Sequence, residues 1–210
     1  MCEDVTFVLV TWNHPELITR AVRSIREFYP KVPVVVLDNG SKLEHFNTLV
    51  GLADECGVKL LRNNRNRGHG PALHQGIKEA VTRYVMLMDS DSWLVRGGWL
   101  REWVDRLEET GAYGVGQVQP VNRLGYDITN PKKRHGGIPY GHPSRVLLNR
   151  LFYWTLRPAC HHGAPMLANM VDAKEEGLKL IPVADIDEFV QHKVRGTRGR
   201  INNFLKWAMP

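Results

Sequence analysis

Along the chain, short apolar runs alternate with longer stretches whose apolar positions recur every three or four residues. Val5 to Thr11 is β-branched and aromatic, which reads as a buried strand. Trp12-Asn13-His14-Pro15 interrupts it, and Pro15 suits the first turn of a helix. Leu17, Ile18, Ala21, Val22, Ile25 and Phe28 then fall on one helical face, ending before Pro30. Val34 to Leu37 reads as a second strand, closed by Asp38-Asn39-Gly40-Ser41. A second helix follows from Leu43 to Cys56, with Gly57 as its C-terminal cap. Val58 to Leu61 is a third strand, followed by a polar loop from Arg62 to Gly70. Pro71 is expected to open a third helix carrying Ala72, Leu73, Ile77, Ala80 and Val81. Tyr84 to Met88 is a fourth strand. A helix near Gly98–Glu109 then gathers Trp99, Leu100, Trp103, Val104 and Leu107 on one side.

Beyond this point the pattern weakens. Tyr113 to Gln119 reads as a strand, but from Pro120 to Ser144 the periodicity fails. Gly, Pro, Asn and the basic run Lys132-Lys133-Arg134-His135 suggest a long loop or lid there. Val146 to Leu156 is apolar and fits a strand or a helix. Ala164 to Glu176 reads as a helix ending at Gly177, and Leu178 to Val183 as a short strand. Strands alternating with helices predict an α/β fold, with a mostly parallel central sheet and right-handed crossovers.

Each of the first four strands ends in a polar cluster: Thr11 and Asn13, Asp38 to Ser41, Asn66 to His69, and Asp89 to Asp91. Open α/β sheets hold their ligands at the carboxyl ends of the strands. Asp89 and Asp91 are two apart, so both can point to one side if the strand continues through them. Neighbouring carboxylates repel, and a divalent cation relieves the repulsion. Hard cations such as Mg²⁺ or Mn²⁺ take one or two carboxylates and complete their shell with water and phosphate oxygens. The competing reading of Asp89-Ser90-Asp91 is a polar loop capping the next helix.

With 210 residues, 43% hydrophobic and 24% charged, the chain suits one sizeable globular domain. No apolar run approaches a membrane span, and no signal peptide is expected before the first strand. Three scattered cysteines argue against a disulfide framework, so a cytoplasmic setting is expected, possible attachment to a membrane surface included. The net charge of +6 suits an anionic partner: a nucleotide diphosphate, a nucleic acid or an acidic membrane.

The order of these motifs resembles glycosyltransferase family 2, whose nucleotide-sugar-binding fold is called GT-A. Residues 5–118 carry the likeness: Val10-Thr11-Trp12-Asn13, Val36-Leu37-Asp38-Asn39-Gly40-Ser41, the segment Asn66 to Ile77, and Asp89-Ser90-Asp91. His74 stands in that segment where Asn or Arg is commoner in the family. The resemblance implies a metal-dependent enzyme using a nucleoside-diphosphate sugar, UDP-sugars by default, with Mn²⁺ or Mg²⁺. It divides the domain into a nucleotide-sugar-binding half, 1–118, and an acceptor-binding or lid half, 119–210. Thr11, Asn13, Asp38, Asn66, Gly68 and Asp89 would contact the donor, and Asp89 and Asp91 the metal. His192 would be a third ligand, since a family histidine often follows the last strand. Arg195, Arg198 and Arg200 would face the diphosphate, where a guanidinium fork matches phosphate.

The sequence departs from the family at the general base that inverting transfer requires. Where many members carry Glu-Asp, this chain has Cys160-His161-His162-Gly163. His162 and Asp187 are therefore the catalytic candidates, with His161, Asp172 and Asp185 behind them. Cys160, His161 and His162 lack a second pair at ligand spacing, which argues against zinc. Two other functions remain open. A nucleotidyltransferase would carry a Gly-rich basic loop after the first strand, where Trp12-Asn13-His14-Pro15 stands. A non-catalytic module binding nucleotide or nucleic acid would need neither aspartate. The acceptor is not readable; an anionic one, such as a lipid carrier, a polysaccharide, a protein or modified DNA, would suit the basic segments.

Overall fold

A computed structural model describes residues 4–128, 137–160 and 163–193. Its centre is a seven-stranded sheet in the order β3-β2-β1-β4-β7-β6-β8. These strands are β1 (Val5–Thr11), β2 (Val34–Asp38), β3 (Lys59–Arg62), β4 (Tyr84–Asp89), β6 (Gly114–Val121), β7 (Ile138–Asn149) and β8 (Leu180–Pro182). Within it β7 alone runs against its neighbours, so the sheet is mostly parallel. A separate two-stranded ribbon joins β5 (Ser92–Leu94) to β9 (Val190–His192).

Both faces of the sheet are covered, which is why β1, β2 and β4 read as unbroken apolar runs. Alternate residues serve different cores. Phe7, Leu9, Val34, Val36, Met86 and Met88 pack with α1 (Pro15–Phe28), α2 (Leu43–Cys56) and α4 (Leu100–Thr110). Val8, Val35, Val85, Leu87 and Leu148 pack with α3 (His69–Glu79) and α6 (Leu167–Glu175). A one-turn helix, α5 (Arg150–Tyr153), follows β7. In α1, Pro15 occupies the first turn, and Ile18, Ala21, Val22 and Ile25 are buried. The α2 helix stops at Gly57, whose left-handed conformation (φ 59°, ψ 48°) releases the chain toward β3.

The first half of the chain follows the hydrophobic pattern within a residue or two. The α3 helix begins at His69 behind Gly68, so Pro71 lies inside its first turn. Between 120 and 144 the expectation of a loop is corrected. Strand β6 continues to Val121, and β7 begins at Ile138, pairing Ile138–Gly141 with Val118–Val121. Pro139, Gly141 and Pro143 hide a strand that its neighbours impose, since β-propensity yields to cross-strand context. The register of β6 against β7 shifts between Gly116 and Val118. The β5–β9 ribbon was also outside the pattern, because three residues are too few to show a period. Lys132 to His135 lie outside the described residues. The proposed 118/119 division falls within β6, and β7 from the second half pairs with β4 from the first. Among the described residues, no helix is long and apolar enough to cross a membrane.

Candidate functional site

The parallel register sets the strand ends level. Thr11 is opposite Asp38, Val10 is opposite Asp89, and Asp38 is opposite Arg62. The polar clusters after β1, β2, β3 and β4 therefore share one edge of the sheet. The hydroxyl of Thr11 is buried there without a hydrogen-bond partner among the described residues. Such an orphan costs on the order of 1–3 kcal/mol unless a ligand satisfies it. Asp38 is fully buried. Its carboxylate accepts from the Ser41 amide at 3.1 and 3.3 Å, with Arg62 Nε 3.6 Å away. Arg62 also lies over the Phe46 ring, 4.0 Å from its centroid.

The loop after β3 is held by Asn39. Its side-chain amide donates to Asn66 Oδ1 (3.0 Å) and to the Gly68 carbonyl (3.2 Å). Its oxygen accepts from Asn63 Nδ2 (3.0 Å) and the Arg67 amide (3.1 Å). Gly40, at φ +81°, lets this loop approach closely: a Cβ there would lie 2.4 Å from the Arg65 carbonyl carbon. Asn66 in turn accepts from the Gly68 amide at 2.8 Å. Asn13 has a positive φ of 58°, and its oxygen accepts from the Lys42 amide at 2.9 Å. Asn13 and Asn66 thus shape the walls through their side-chain oxygens.

Asp89 ends β4, Asp91 lies in the turn before β5, and both meet His192 from β9. One ligand atom from each of the three lies within 4.8 Å of the others. Asp91 is buried, with its Oδ1 3.3 Å from His192 Nε2. The ribbon fixes this meeting: Ser92 is opposite His192, and the Lys193 amide donates to the Asp91 carbonyl at 2.9 Å. Two carboxylates and an imidazole form a donor set that fits Mn²⁺ or a similar divalent cation. Asp89 Oδ1 also lies 3.4 Å from His69 Nε2. His142 of β7 has its ring 5.9 Å from that of His192 and its Nδ1 2.7 Å from the Ser144 hydroxyl. Burial pushes the His142 imidazole below its ordinary pKa, while nearby Asp89 pulls the other way.

The structure thus gathers Thr11, Asp38, Asn66, Gly68 and Asp89 along one edge, and Asp89, Asp91 and His192 at one point. Asp187 is placed otherwise: its carboxylate pairs with the buried Arg145, which also donates to Gln117 (3.0 Å) and to the Val190 carbonyl (2.8 Å). Asp187 itself is largely exposed, in the turn that leads into β9. His162, Arg195, Arg198 and Arg200 lie outside the described residues. Asn39, His69, His142 and Arg145 were missed as site-builders. Asn39 and His69 stood in motifs already singled out; His142 and Arg145 sat in or next to the stretch read as a loop.

A parallel sheet whose acidic strand ends meet a carboxylate–imidazole cluster has the GT-A architecture, and solved structures share it. A mannosyltransferase from Pyrobaculum calidifontis, solved with GDP-Man and Mn²⁺, superposes with a TM-score of 0.67 at 19% identity, covering 87% of this chain and 55% of its own. Residues 1–349 of S. aureus TarS, solved with UDP-GlcNAc, give 0.66 at 14% identity, covering 89% and 57%. In sequence, the succinoglycan biosynthesis protein ExoO of Rhizobium meliloti is 36% identical over 110 residues, 52% of this chain and 31% of that protein. The poly-β-1,6-N-acetyl-D-glucosamine synthase of Staphylococcus epidermidis is 28% identical over 91 residues, 43% and 22%. Residues 6–173 match the family model of Glycosyl transferase family 2, and the chain belongs to that family. It spans about a third or less of these curated relatives and just over half of the solved chains.

Proposed function

We propose that the chain transfers a glycosyl group from a nucleoside-diphosphate sugar to an acceptor, with a divalent cation at Asp89, Asp91 and His192. The observation that carries this reading is the convergence of those three side chains at the sheet edge that also holds Thr11 and Asp38. The orphaned Thr11 hydroxyl and the Gly68 loop would meet the nucleotide, and Asp38 would hold Arg62 and the Ser41 turn in place around the base. UDP-sugars are the proposed donors. Solved relatives of the same fold hold UDP-GlcNAc in one case and GDP-Man with Mn²⁺ in another.

Transfer breaks the bond from the anomeric carbon to the diphosphate, and negative charge grows on the departing phosphate. A bound cation supplies Lewis-acid stabilisation of that charge. Asp91 and His192, fixed by the β5–β9 ribbon, need no rearrangement to receive it, which is what makes electrostatic stabilisation effective. The acceptor hydroxyl gives its proton to a base if transfer inverts the anomeric centre. Arg145 already engages Asp187, so we assign this role to His162, and Arg195 and Arg198 to the diphosphate. An anionic acceptor is the proposed partner, because Lys132, Lys133 and Arg134 add to the basic residues at 195–200.

The deciding experiment is Asp91→Ala. Mn²⁺-dependent turnover of nucleotide sugars is expected to fall about 100-fold or more while the melting temperature without metal stays near wild type. Unchanged turnover would place the chemistry elsewhere. A screen of UDP- and GDP-sugars by thermal shift with Mn²⁺ identifies the donor, because a ligand raises stability with its affinity.

A further inference from the structure

His69 is the first residue of α3 and the last step of the loop that Asn39 holds. Gly68 precedes it at φ 89° and ψ 160°, turning the chain so that the helix starts here. Its carbonyl receives both the Asn39 side chain and the Ala72 amide of the first helical turn (3.3 Å). From this anchored position His69 reaches across to β4, its Nε2 3.4 Å from Asp89 Oδ1. The two side chains are about a quarter exposed, so the contact sits at the mouth of the site.

We propose that His69 is a positioning residue of the cation centre: its ring stands against one oxygen of Asp89 and leaves the other for the cation. The inference rests on the reading that Asp89, Asp91 and His192 bind a divalent ion. Two carboxylates that face each other without a cation repel, and Asp89 has two side-chain torsions with which to swing away. An imidazole fixed at a helix start removes that freedom before the ion arrives. Hydrogen-bonded outer partners of ligating carboxylates commonly govern affinity by 10–100-fold. The same contact links the loop after β3 to the metal motif.

The test is Mn²⁺ binding to the full chain, followed by the electron paramagnetic resonance of free Mn²⁺, with no donor or turnover involved. His69→Ala should weaken binding about 10–100-fold, and His69→Gln, which restores an N–H at similar reach, should recover most of it. Both variants should melt at the wild-type temperature in the absence of metal. Wild-type Mn²⁺ affinity in His69→Ala overturns the inference. Equal losses in Ala and Gln overturn the positioning role, since they require the imidazole itself. Asp91→Asn separates the two levels: if it abolishes binding while His69→Ala does not, only the role of His69 falls. If Asp91→Asn binds Mn²⁺ as wild type does, the cation centre itself falls.

Discussion

Arg145 is buried on β7, yet its guanidinium joins three parts of the chain: Gln117 on β6, Asp187 and the Val190 carbonyl. Replacing it with Met keeps the aliphatic volume and removes those bonds. Hydrogen bonds to charged groups contribute about 1.5–3 kcal/mol each, although Asp187 is largely exposed and falls at the low end. We expect Arg145→Met to lower stability by about 2 kcal/mol in urea unfolding. It should also weaken Mn²⁺ binding, because the Val190 carbonyl lies two residues from His192. His74 supplies a pH signature. Its Nδ1 lies 2.8 Å from the Tyr153 hydroxyl, and burial, then nearby Lys78, push its pKa below the ordinary 6.5. The folded state therefore resists protonation that the unfolded state accepts. Its contribution is whole above about 6.5 and is lost as pH falls from there through the folded value. Thermal melts between pH 7 and 5 should show a shallower decline for His74→Gln than for wild type.

At the scale of elements, the loop after β3 is shaped by what lies beneath it. Gly40 carries a positive φ and no room for a Cβ against Arg65. Gly40→Ala should cost about 1–2 kcal/mol in backbone strain alone and displace the loop toward the site. Weaker binding of a nucleoside diphosphate, measured by calorimetry, is the check. Strands β1, β2 and β4 were legible in the sequence because both sheet faces are buried, which leaves long apolar runs with polar ends. Those same ends exposed Thr11, Asp38, Asp89 and Asp91 as candidates. The first part of strand β7 was illegible because Pro139, Gly141 and Pro143 carry no β signal of their own; β6 supplies it. Val146 to Asn149, paired with β4, lay in a run that fitted strand or helix. His192 was reachable only through the family likeness, since a three-residue strand whose partner lies about a hundred positions earlier leaves no periodic trace. Asn39 was visible in Asp38-Asn39-Gly40-Ser41 but was not singled out, and its four bonds to the loop appear only in three dimensions.

For the whole molecule, neither strand of the ribbon belongs to the seven-stranded sheet, although Leu94 and Val190 join one of its cores. A chain ending at Phe189 keeps every strand of the sheet and lacks β9. We expect such a truncation to retain far-UV circular dichroism close to wild type while losing Mn²⁺ binding. Retained Mn²⁺ affinity would show that His192 is dispensable.

The pairing of Ser92–Leu94 with Val190–His192 also has a consequence for biosynthesis. A ribosome making this chain delivers both aspartates about a hundred residues before the imidazole that completes their set. Contacts so distant along the chain form late. On the proposed reading, the nascent protein therefore presents the acidic strand ends first, and the three-ligand set is complete only once His192 follows. On the same reading, a fragment released before Val190 would keep every strand of the sheet and lack the imidazole of the cation set.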